Sequence, residues 1–202
     1  MTDNLSNPEA LGPDPLAIFR AWYAEAAEKK LLAPDALALA TATASGRPSV
    51  RMVLYKGFEG GRLCLVTNFE SRKAQELAKN PWAAIAFYWP GLERQVRMEG
   101  RVERAPEALS DRYFAGRDRE SQLGAWASSQ SRPVTSRAEL EAALVRERER
   151  WQGRAVERPP HWGMLLLEPA RVELWVAGAH RLHDRFAYDA SDAGWRITRL
   201  SP

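Results

Sequence analysis

Apolar and polar positions near the start of this chain follow the period of a helix. Asp14 stands where its side chain can cap a helix, and Pro15 suits the first helical turn. The pattern therefore predicts an amphipathic helix over residues 15–30. Its apolar face is formed by residues three and four positions apart: Leu16, Phe19, Trp22, Tyr23 and Ala26.

From residue 36 onward the pattern shortens to runs of small and branched residues separated by turn signals, which predicts strands. In one of them Val96, Met98 and Val102 alternate with charged residues, as in a half-buried antiparallel strand. We expect Ser71 to cap a short helix. The predicted strands cover 36–43, 49–56, 62–67, 83–88, 95–102, 163–167, 171–176, 185–188 and 195–199, and the further helices cover 71–78, 106–126 and 136–151.

Short antiparallel strands with helices between them and at their ends predict an α+β protein built on a small barrel. The 202 residues suffice for one domain with a substantial core. No run approaches the roughly 20 apolar residues of a membrane span. The first twelve residues are polar and mixed, unlike a signal peptide, and the single cysteine, Cys64, excludes an internal disulfide. We therefore expect a cytoplasmic location.

Arginine dominates the basic residues, with 24 Arg and 5 Lys, although the net charge is only +3. Guanidinium groups bind phosphates and planar anions in a bidentate fork, so the excess suggests anionic ligands. Genomic base composition is the alternative explanation for many of them. Acidic residues are interspersed among the basic ones, which argues against a nucleic-acid-binding face.

Three clusters of basic and hydrogen-bonding residues are candidate sites. Arg51 and Lys56 lie at opposite ends and on opposite faces of a predicted strand, where they can serve two different anions or simply flank the strand. Arg72 and Lys73 come at a predicted helix start, after Thr67, where free N–H groups favour a phosphate. The third cluster, over 178–185, is either a charged hairpin loop or a functional one.

Metal and nucleophilic chemistry are poorly supported by the sequence. His180, His183 and Asp184 lie close together, but the segment lacks further ligands for zinc, so we expect no metal. No nucleophile elbow, dinucleotide-binding glycine motif or P-loop is present. Anion sites and many aromatic residues without a nucleophile or metal indicate an enzyme in which a cofactor carries the chemistry.

Several segments, in order and with compatible spacing, resemble the pyridoxamine 5′-phosphate oxidase family from about residue 14 to residue 202. The resemblance implies an FMN-binding antiparallel split β-barrel with peripheral helices, and a homodimer with FMN at its interface. It also implies oxidation of pyridoxamine or pyridoxine 5′-phosphate to pyridoxal 5′-phosphate, with O2 as electron acceptor and H2O2 as product. The segments are RMVLYK (51–56), TN and SRKA (67–68 and 71–74), LERQV (92–96), SQLGAW (121–126), SQS (129–131), ELW (173–175), HRLHDRF (180–186) and RLSP (199–202).

The same resemblance implies a domain organisation and a set of site residues. Residues 1–13 would form a flexible tail and 14–202 one domain, whose last part, about 160–202, would supply dimerisation strands. Arg181 and His183 would be catalytic. The implied cofactor contacts are Arg51, Met52, Val53, Leu54, Val66, Thr67, Arg72, Lys73, Gln95, Gln130, Ser131, Trp175 and Arg185. The implied substrate contacts are Lys56, Tyr113, Arg117, Ser121, Arg181 and His183.

Two other functions compete with this one. A related FMN oxidase would act on another substrate, such as a dihydrophenazine precursor, and a non-catalytic carrier would bind flavin or pyridoxal phosphate without consuming oxygen. The family's implied substrate-phosphate pocket argues against the related oxidase, since a substrate without phosphate has no use for it. That pocket consists of Lys56, Tyr113, Arg117 and Ser121.

Overall fold

A computed structural model describes residues 12–202, so that the expected tail over 1–13 lies almost wholly outside the described residues. Within them, no helix has both the length and the apolar character needed to cross a bilayer. The helices are α1 (Pro15–Glu28), α2 (Arg72–Lys79), α3 (Glu107–Ala115), α4 (Arg119–Ala127) and α5 (Arg137–Arg150). The strands are β1 (Ala36–Ala42), β2 (Pro48–Leu54), β3 (Phe58–Glu59), β4 (Arg62–Asn68), β5 (Trp82–Trp89), β6 (Arg94–Arg104), β7 (Trp162–Val176), β8 (Asp184–Ser191) and β9 (Gly194–Leu200).

The strands form one antiparallel sheet in the order β2-β1-β5-β6-β7-β4-β3, with β8 and β9 added beside β7. The two ends of this order, β2 and β3, are consecutive in the chain. Between them, Lys56 N donates to Cys64 O at 3.0 Å and Cys64 N donates to Gly57 O at 2.9 Å. The sheet therefore curls so that its two edge strands, β2 and β3, are joined by one bend of the chain. In the described residues, the hydrogen bonds between strands do not close the sheet into a complete barrel. The predicted α+β class and split antiparallel barrel are confirmed.

Helix α1 packs over the bend that joins β2 and β3. Phe19 is fully buried, and its ring centroid lies 5.4 Å from that of Tyr55 and 5.6 Å from that of Phe58. Burying one such side chain contributes about 1.5–3 kcal/mol, so the predicted apolar face of α1 holds the bent strand in place. The helix begins as predicted, because Asp14 Oδ1 accepts a hydrogen bond from Leu16 N at 2.9 Å.

The single helix predicted over 106–126 is wrong, since two helices, α3 and α4, cover this range. Helix α3 ends before Gly116, a residue that weakens helices. Asp118 then starts α4 by accepting a hydrogen bond from Ser121 N at 2.8 Å. The break places the loop residue Arg117 between the two helices.

The residues predicted as strand over 163–167 and 171–176 are strand, but the break between them is wrong, because β7 runs unbroken from Trp162 to Val176. Pro169 lies between the two ranges and has no N–H for the ladder. In the structure the register with β6 shifts at Gly100, so that Pro169 pairs opposite Gly100 and Ala170 is left unpaired. A β-bulge accommodates the proline without ending the strand.

We expect Gly100→Ala to destabilise the protein strongly. An added Cβ would lie 1.9 Å from the backbone oxygen of Glu168 on β7, and a backbone atom cannot move aside as a side chain can. The free energy of unfolding should fall by about 2–3 kcal/mol, measured by thermal or urea denaturation. Gly124→Ala in α4 is the matched control, since nothing lies within 4 Å of its Cβ and alanine favours helices. Equal stability of the two variants would contradict the close approach at the bulge.

Candidate functional site

A cleft of about 1040 Å³ opens between the β2–β4 side of the sheet and helices α2, α3 and α4. A cavity of about 360 Å³ shares part of its lining and adds Thr67. The cleft brings together many of the residues that the sequence singles out, although they are spread over 80 positions of the chain. These are Arg51, Met52, Val53, Leu54, Lys56, Val66, Lys73, Tyr113, Arg117, Ser121 and Gln130.

Positive charge exceeds negative charge in the lining of this cleft. Two carboxylates, Glu59 and Asp118, face five cationic side chains. Protein walls of low dielectric constant concentrate the electric field of these cations, so the cleft attracts anions. The five cations are Arg51, Lys56, Lys73, Arg112 and Arg117.

Arg51, Arg72 and Lys73 come together near the start of α2 and form what we call the α2 cation cluster. Arg72 Nε donates to Glu76 Oε1 at 2.9 Å, and Arg51 Nη2 lies 3.5 Å from Glu76 Oε2. Arg72 itself lies beside the cleft and outside its lining, with a largely exposed side chain. Two of the three cations, Arg51 and Arg72, thus share one carboxylate, and the cluster keeps a surplus of positive charge.

Lys73 is the least compensated member of the α2 cation cluster. Its Nζ donates to Gln130 Oε1 at 2.6 Å and to Ser71 Oγ at 3.2 Å. In the described part of the chain, no carboxylate lies within ion-pair distance of this ammonium. Burial, aided by the charge of Arg51, lowers the pKa of Lys73 to about 8. An anion placed here would therefore be bound by a partly desolvated cation.

Ser71 holds the N-cap position of α2, as expected, but its side chain does not cap the helix. Its hydroxyl makes no hydrogen bond to the N–H groups of the first turn. It contacts Lys73 Nζ and Thr67 Oγ1 instead. The side chain orients the lysine, and the helix start keeps N–H groups that an anion can use.

Elsewhere in the lining of the cleft, Arg117 lies over the ring of Trp162, with 4.7 Å from its guanidinium carbon to the ring centroid. Among the described residues, Arg117 Nη1 is the buried side-chain nitrogen or oxygen that lacks a hydrogen-bond partner. Leaving such a donor unpaired costs about 1–3 kcal/mol or more, so native proteins rarely do so without a ligand. Burial lowers the pKa of Arg117, but a guanidinium stays charged at any working pH.

Other hydrogen-bonding groups accompany Arg117. Burial raises the pKa of Tyr113, so its hydroxyl stays protonated and can donate a hydrogen bond. Lys56 Nζ lies 3.7 Å from Asp35 Oδ2, and Ser121 lines the same wall in the first turn of α4. Together these residues form a second, independent place for an anion.

The remaining candidates form a row across the far end of β6, β7 and β8, which we call the β6–β8 row: Gln95, Trp175 and Arg185. Gln95 pairs opposite Trp175, and Trp175 pairs opposite Arg185. Arg185 Nε donates to Glu173 Oε1 at 2.9 Å, and this hydrogen bond raises the pKa of the guanidinium. In the described chain, the lining of the cleft includes no residue of this row.

Arg181 and His183 belong to the loop beside the β6–β8 row. The His183 ring centroid lies 4.7 Å from that of Trp175, and His183 Nδ1 accepts a hydrogen bond from Gly178 N at 3.1 Å. This hydrogen bond fixes the orientation of the imidazole and leaves Nε2 available. Arg181 is exposed and has a φ of 64°, a left-handed conformation that costs a non-glycine residue energy. Residues 12–202 contain no group of three His, Cys, Asp or Glu side chains arranged to hold a metal ion.

The cleft and the β6–β8 row are far apart on one chain. Met164 lines the cleft and Trp175 belongs to the row, and both lie on β7. Eleven residues of extended strand separate them by roughly 35 Å. Ser131 follows the lining residue Gln130 directly but lies outside the lining itself. One chain therefore holds two half-sites, the cleft and the β6–β8 row, that share no lining residue.

Three carboxylates near these groups were missed by the sequence reasoning: Glu76, Asp35 and Glu173. Glu76 stands four residues after Arg72, the spacing of a helical ion pair, and this signal was available. Asp35 and Glu173 meet Lys56 and Arg185 only through the fold, so no local pattern indicates them.

Comparison with known proteins gives consistent matches along the chain. Residues 23–152 match the family model described as pyridoxamine 5′-phosphate oxidase, and residues 162–202 match the pyridoxine 5′-phosphate oxidase C-terminal dimerisation region. A pyridoxine/pyridoxamine 5′-phosphate oxidase of Rubrobacter xylanophilus is 50% identical over 94% of this chain and 88% of its own length. One of Anaeromyxobacter dehalogenans is 49% identical over 96% and 98%.

Solved structures agree with these matches. PhzG from Burkholderia lata, in complex with tetrahydrophenazine-1-carboxylic acid, superposes with a TM-score of 0.91 at 30% identity, over 100% of this chain and 98% of its own. An FMN-binding protein from Nostoc punctiforme, related to pyridoxamine 5′-phosphate oxidase, superposes with a TM-score of 0.75. At 21% identity, over 95% of this chain and 100% of its own, the latter supports the fold alone.

Proposed function

The chain belongs to the pyridoxamine 5′-phosphate oxidase family, and from this premise we propose that it oxidises pyridoxamine and pyridoxine 5′-phosphates to pyridoxal 5′-phosphate. Molecular oxygen would accept the electrons and leave as hydrogen peroxide. The observation that carries the proposal is the unpaired, buried Arg117 Nη1 in a cleft that Arg51 and Lys73 of the α2 cation cluster also line. Two anion sites in one cleft suit one phosphate on the cofactor and another on the substrate.

FMN is the cofactor of this family, and the chemistry it supplies is acceptance of a hydride and delivery of electrons to oxygen. The residues present fit it, because Lys73 is a half-buried cation without a carboxylate partner among the described residues and Arg51 lies beside it. In our proposal, Arg51, Arg72 and Lys73 hold the phosphate. Thr67 and Gln130 line the adjoining wall, and the exposed apolar side chains of Met52 and Leu54, with those of Val53 and Val66, contact the flavin.

The substrate phosphate would be held elsewhere in the cleft by Arg117, Lys56, Tyr113 and Ser121. Each charge-assisted hydrogen bond contributes about 1.5–3 kcal/mol, which fixes the position of the ring relative to the cofactor. Binding energy from the phosphate thereby orients the reacting carbon, which lies elsewhere on the substrate. The bound phosphate thus holds the substrate in position during the reaction.

The protein forms a homodimer through the matched C-terminal dimerisation region. We propose that 14–202 act as one domain and that dimerisation through its strands from about residue 160 brings the β6–β8 row, with Gln95 on the neighbouring β6, to the partner's cleft. Gln95, Ser131, Trp175 and Arg185 would then complete the flavin contacts. Arg181 and His183 would lie over the substrate ring, where His183 Nε2 is free to accept or donate a proton.

Oxygen uptake tests the proposed function. The purified protein should be yellow with flavin absorbance, and it should consume oxygen and release hydrogen peroxide when pyridoxamine 5′-phosphate is added. Unphosphorylated pyridoxamine is the matched control, and it should react far more slowly because it lacks the anchor for Arg117. A protein that binds flavin but consumes no oxygen would be a carrier, and the proposed function would then be wrong.

PhzG raises the alternative of a phenazine-type substrate, since its structure superposes over the whole chain. A dihydrophenazine carboxylate carries no phosphate and would leave Lys56, Tyr113 and Ser121 without a purpose. Oxygen uptake with such a compound, together with none on pyridoxamine 5′-phosphate, would favour this alternative. We further propose a cytoplasmic location, since the single cysteine of the sequence cannot form an internal disulfide.

We expect FMN affinity to fall as the pH rises through the pKa of Lys73. Burial lowers this pKa to about 8 in the free protein, and a bound phosphate dianion would raise it again by favouring the ammonium form. Above the second pKa of the phosphate, which is about 6, the dissociation constant should therefore be nearly constant up to about pH 7, and it should rise by up to roughly tenfold per pH unit above about pH 8. Flavin fluorescence titrations measure it. Lys73→Arg stays charged and should remove this dependence; an unchanged profile would contradict the assignment.

A further inference from the structure

Glu76 is a buried carboxylate to which neither the sequence analysis nor the proposed reaction assigns a role. Only 6% of the residue is exposed, on the side of α2 that faces β1 and β2. Glu76 Oε2 accepts hydrogen bonds from the hydroxyls of Thr41 and Ser49, the latter at 2.6 Å. Glu76 Oε1 accepts the hydrogen bond from Arg72. Both oxygens are therefore occupied.

The same hydroxyls that bind Glu76 also bind Arg51. Arg51 Nη1 donates to Thr41 Oγ1 at 2.6 Å, and Nη2 donates to Ser49 Oγ at 2.5 Å. Nη2 lies 3.5 Å from the carboxylate itself. The guanidinium of Arg51 is thus fixed by a network centred on Glu76, while Arg72 is held from the other side.

The network around Glu76 carries more positive than negative charge, whereas an ion pair with a purely structural role would be neutral. Burial alone would raise the pKa of Glu76, but hydrogen bonds from Ser49, Thr41 and Arg72 lower it to about 2. One permanent negative charge thus faces the three positive charges of the α2 cation cluster. The surplus is directed at the cleft, which Arg51 and Lys73 both line.

We propose that Glu76 is a positioning residue for the phosphate of FMN. It holds Arg51 and Arg72 beside Lys73 before the cofactor arrives, so that binding does not have to order two long side chains. The inference rests on the proposed function, because it concerns the same cofactor. Glu76 therefore affects the binding of the phosphate end of FMN and does not affect the binding of the flavin ring.

Comparison of FMN with riboflavin separates positioning from a general structural role. Glu76→Gln keeps the shape of the side chain but removes its charge and the strong acceptor for Arg72. The dissociation constant of FMN should rise about tenfold, measured by flavin fluorescence, while that of riboflavin stays within about twofold. Glu76→Asp keeps the charge and should recover part of the FMN affinity. Glu120→Gln makes the same charge change at an exposed ion pair outside the cleft lining and should alter neither constant.

Unchanged or tighter FMN binding by Glu76→Gln would overturn the proposal, because the carboxylate would then merely oppose the phosphate. An equal loss of FMN and riboflavin affinity would also overturn it, since that result indicates a disturbed fold. Should Glu76→Gln fail to fold, Ser49→Ala removes the hydroxyl between Glu76 and Arg51, and it should weaken FMN alone by about threefold. No effect there would likewise refute the inference. Wild-type protein that binds no FMN would instead refute the proposed function.

Discussion

Replacing Arg117 with methionine raises the KM for pyridoxamine 5′-phosphate by about a hundredfold, if the buried guanidinium is the anchor of the substrate phosphate. The loss of two charge-assisted hydrogen bonds amounts to about 3 kcal/mol or more, and each 1.4 kcal/mol is about tenfold in affinity. Methionine keeps the apolar contact with Trp162, so the fold and the FMN content should change little. Oxygen uptake at varied substrate concentration measures the effect.

Two further variants make this result specific. Arg117→Lys keeps a charge but not the fork of donors, and it should give an intermediate KM. Arg146→Met removes an exposed arginine on α5, outside the cleft lining, and should leave KM unchanged. A normal KM for Arg117→Met would show that the unpaired Nη1 has no part in phosphate binding and would favour a substrate without phosphate.

Mixing two inactive variants restores activity, if each active site combines half-sites from two chains. One variant carries Arg117→Met in the cleft, and the other carries Arg181→Ala with His183→Ala beside the β6–β8 row. Random pairing makes about half of the dimers mixed, and each mixed dimer has one intact site, so about a quarter of the wild-type rate should return. Co-expression with two affinity tags, followed by oxygen uptake below the wild-type KM, measures the recovery.

The matched control combines two defects in the same half-site, Arg117→Met and Lys56→Met. Every site in that mixture carries one defect, so no activity should return. Recovery in neither mixture would mean that one chain supplies both halves. The roughly 35 Å along β7 between Met164 and Trp175 would then have to be bridged by a rearrangement.

Most helices and strands follow from local patterns in the sequence. Alternation in β6 buries Val96, Met98 and Val102, and the apolar face of α1 buries Phe19 and Trp22, as their spacing predicts. The errors occur where a tertiary contact outweighs a local signal. Pro169 does not end β7, because the bulge opposite Gly100 removes the need for its N–H. The strand predicted over 49–56 ends at Leu54, and the short β3 was missed, because the bend there depends on pairing with β4.

The candidate site was predictable in its residue types but not in its geometry. Motifs identify Arg51, Lys73 and Arg117 as residues that bind anions, since guanidinium and ammonium groups have that chemistry wherever they stand. They do not indicate that Arg117 would be buried without a partner, because burial depends on Trp162 from a distant strand. Nor do they reveal Glu76, whose role depends on hydroxyls contributed by β1 and β2.

The amino-acid sequence alone determined the α+β class and the antiparallel strands, because periodicity is a local property, and its ordered motifs indicated the family and, through that resemblance, the ligands. The tertiary structure decided which of the cations share a cleft, which one lacks a partner, and that Gln95, Trp175 and Arg185 lie elsewhere. Those facts depend on strand register and on the curl of the sheet. Both result from packing among residues far apart in the chain, which no local pattern encodes.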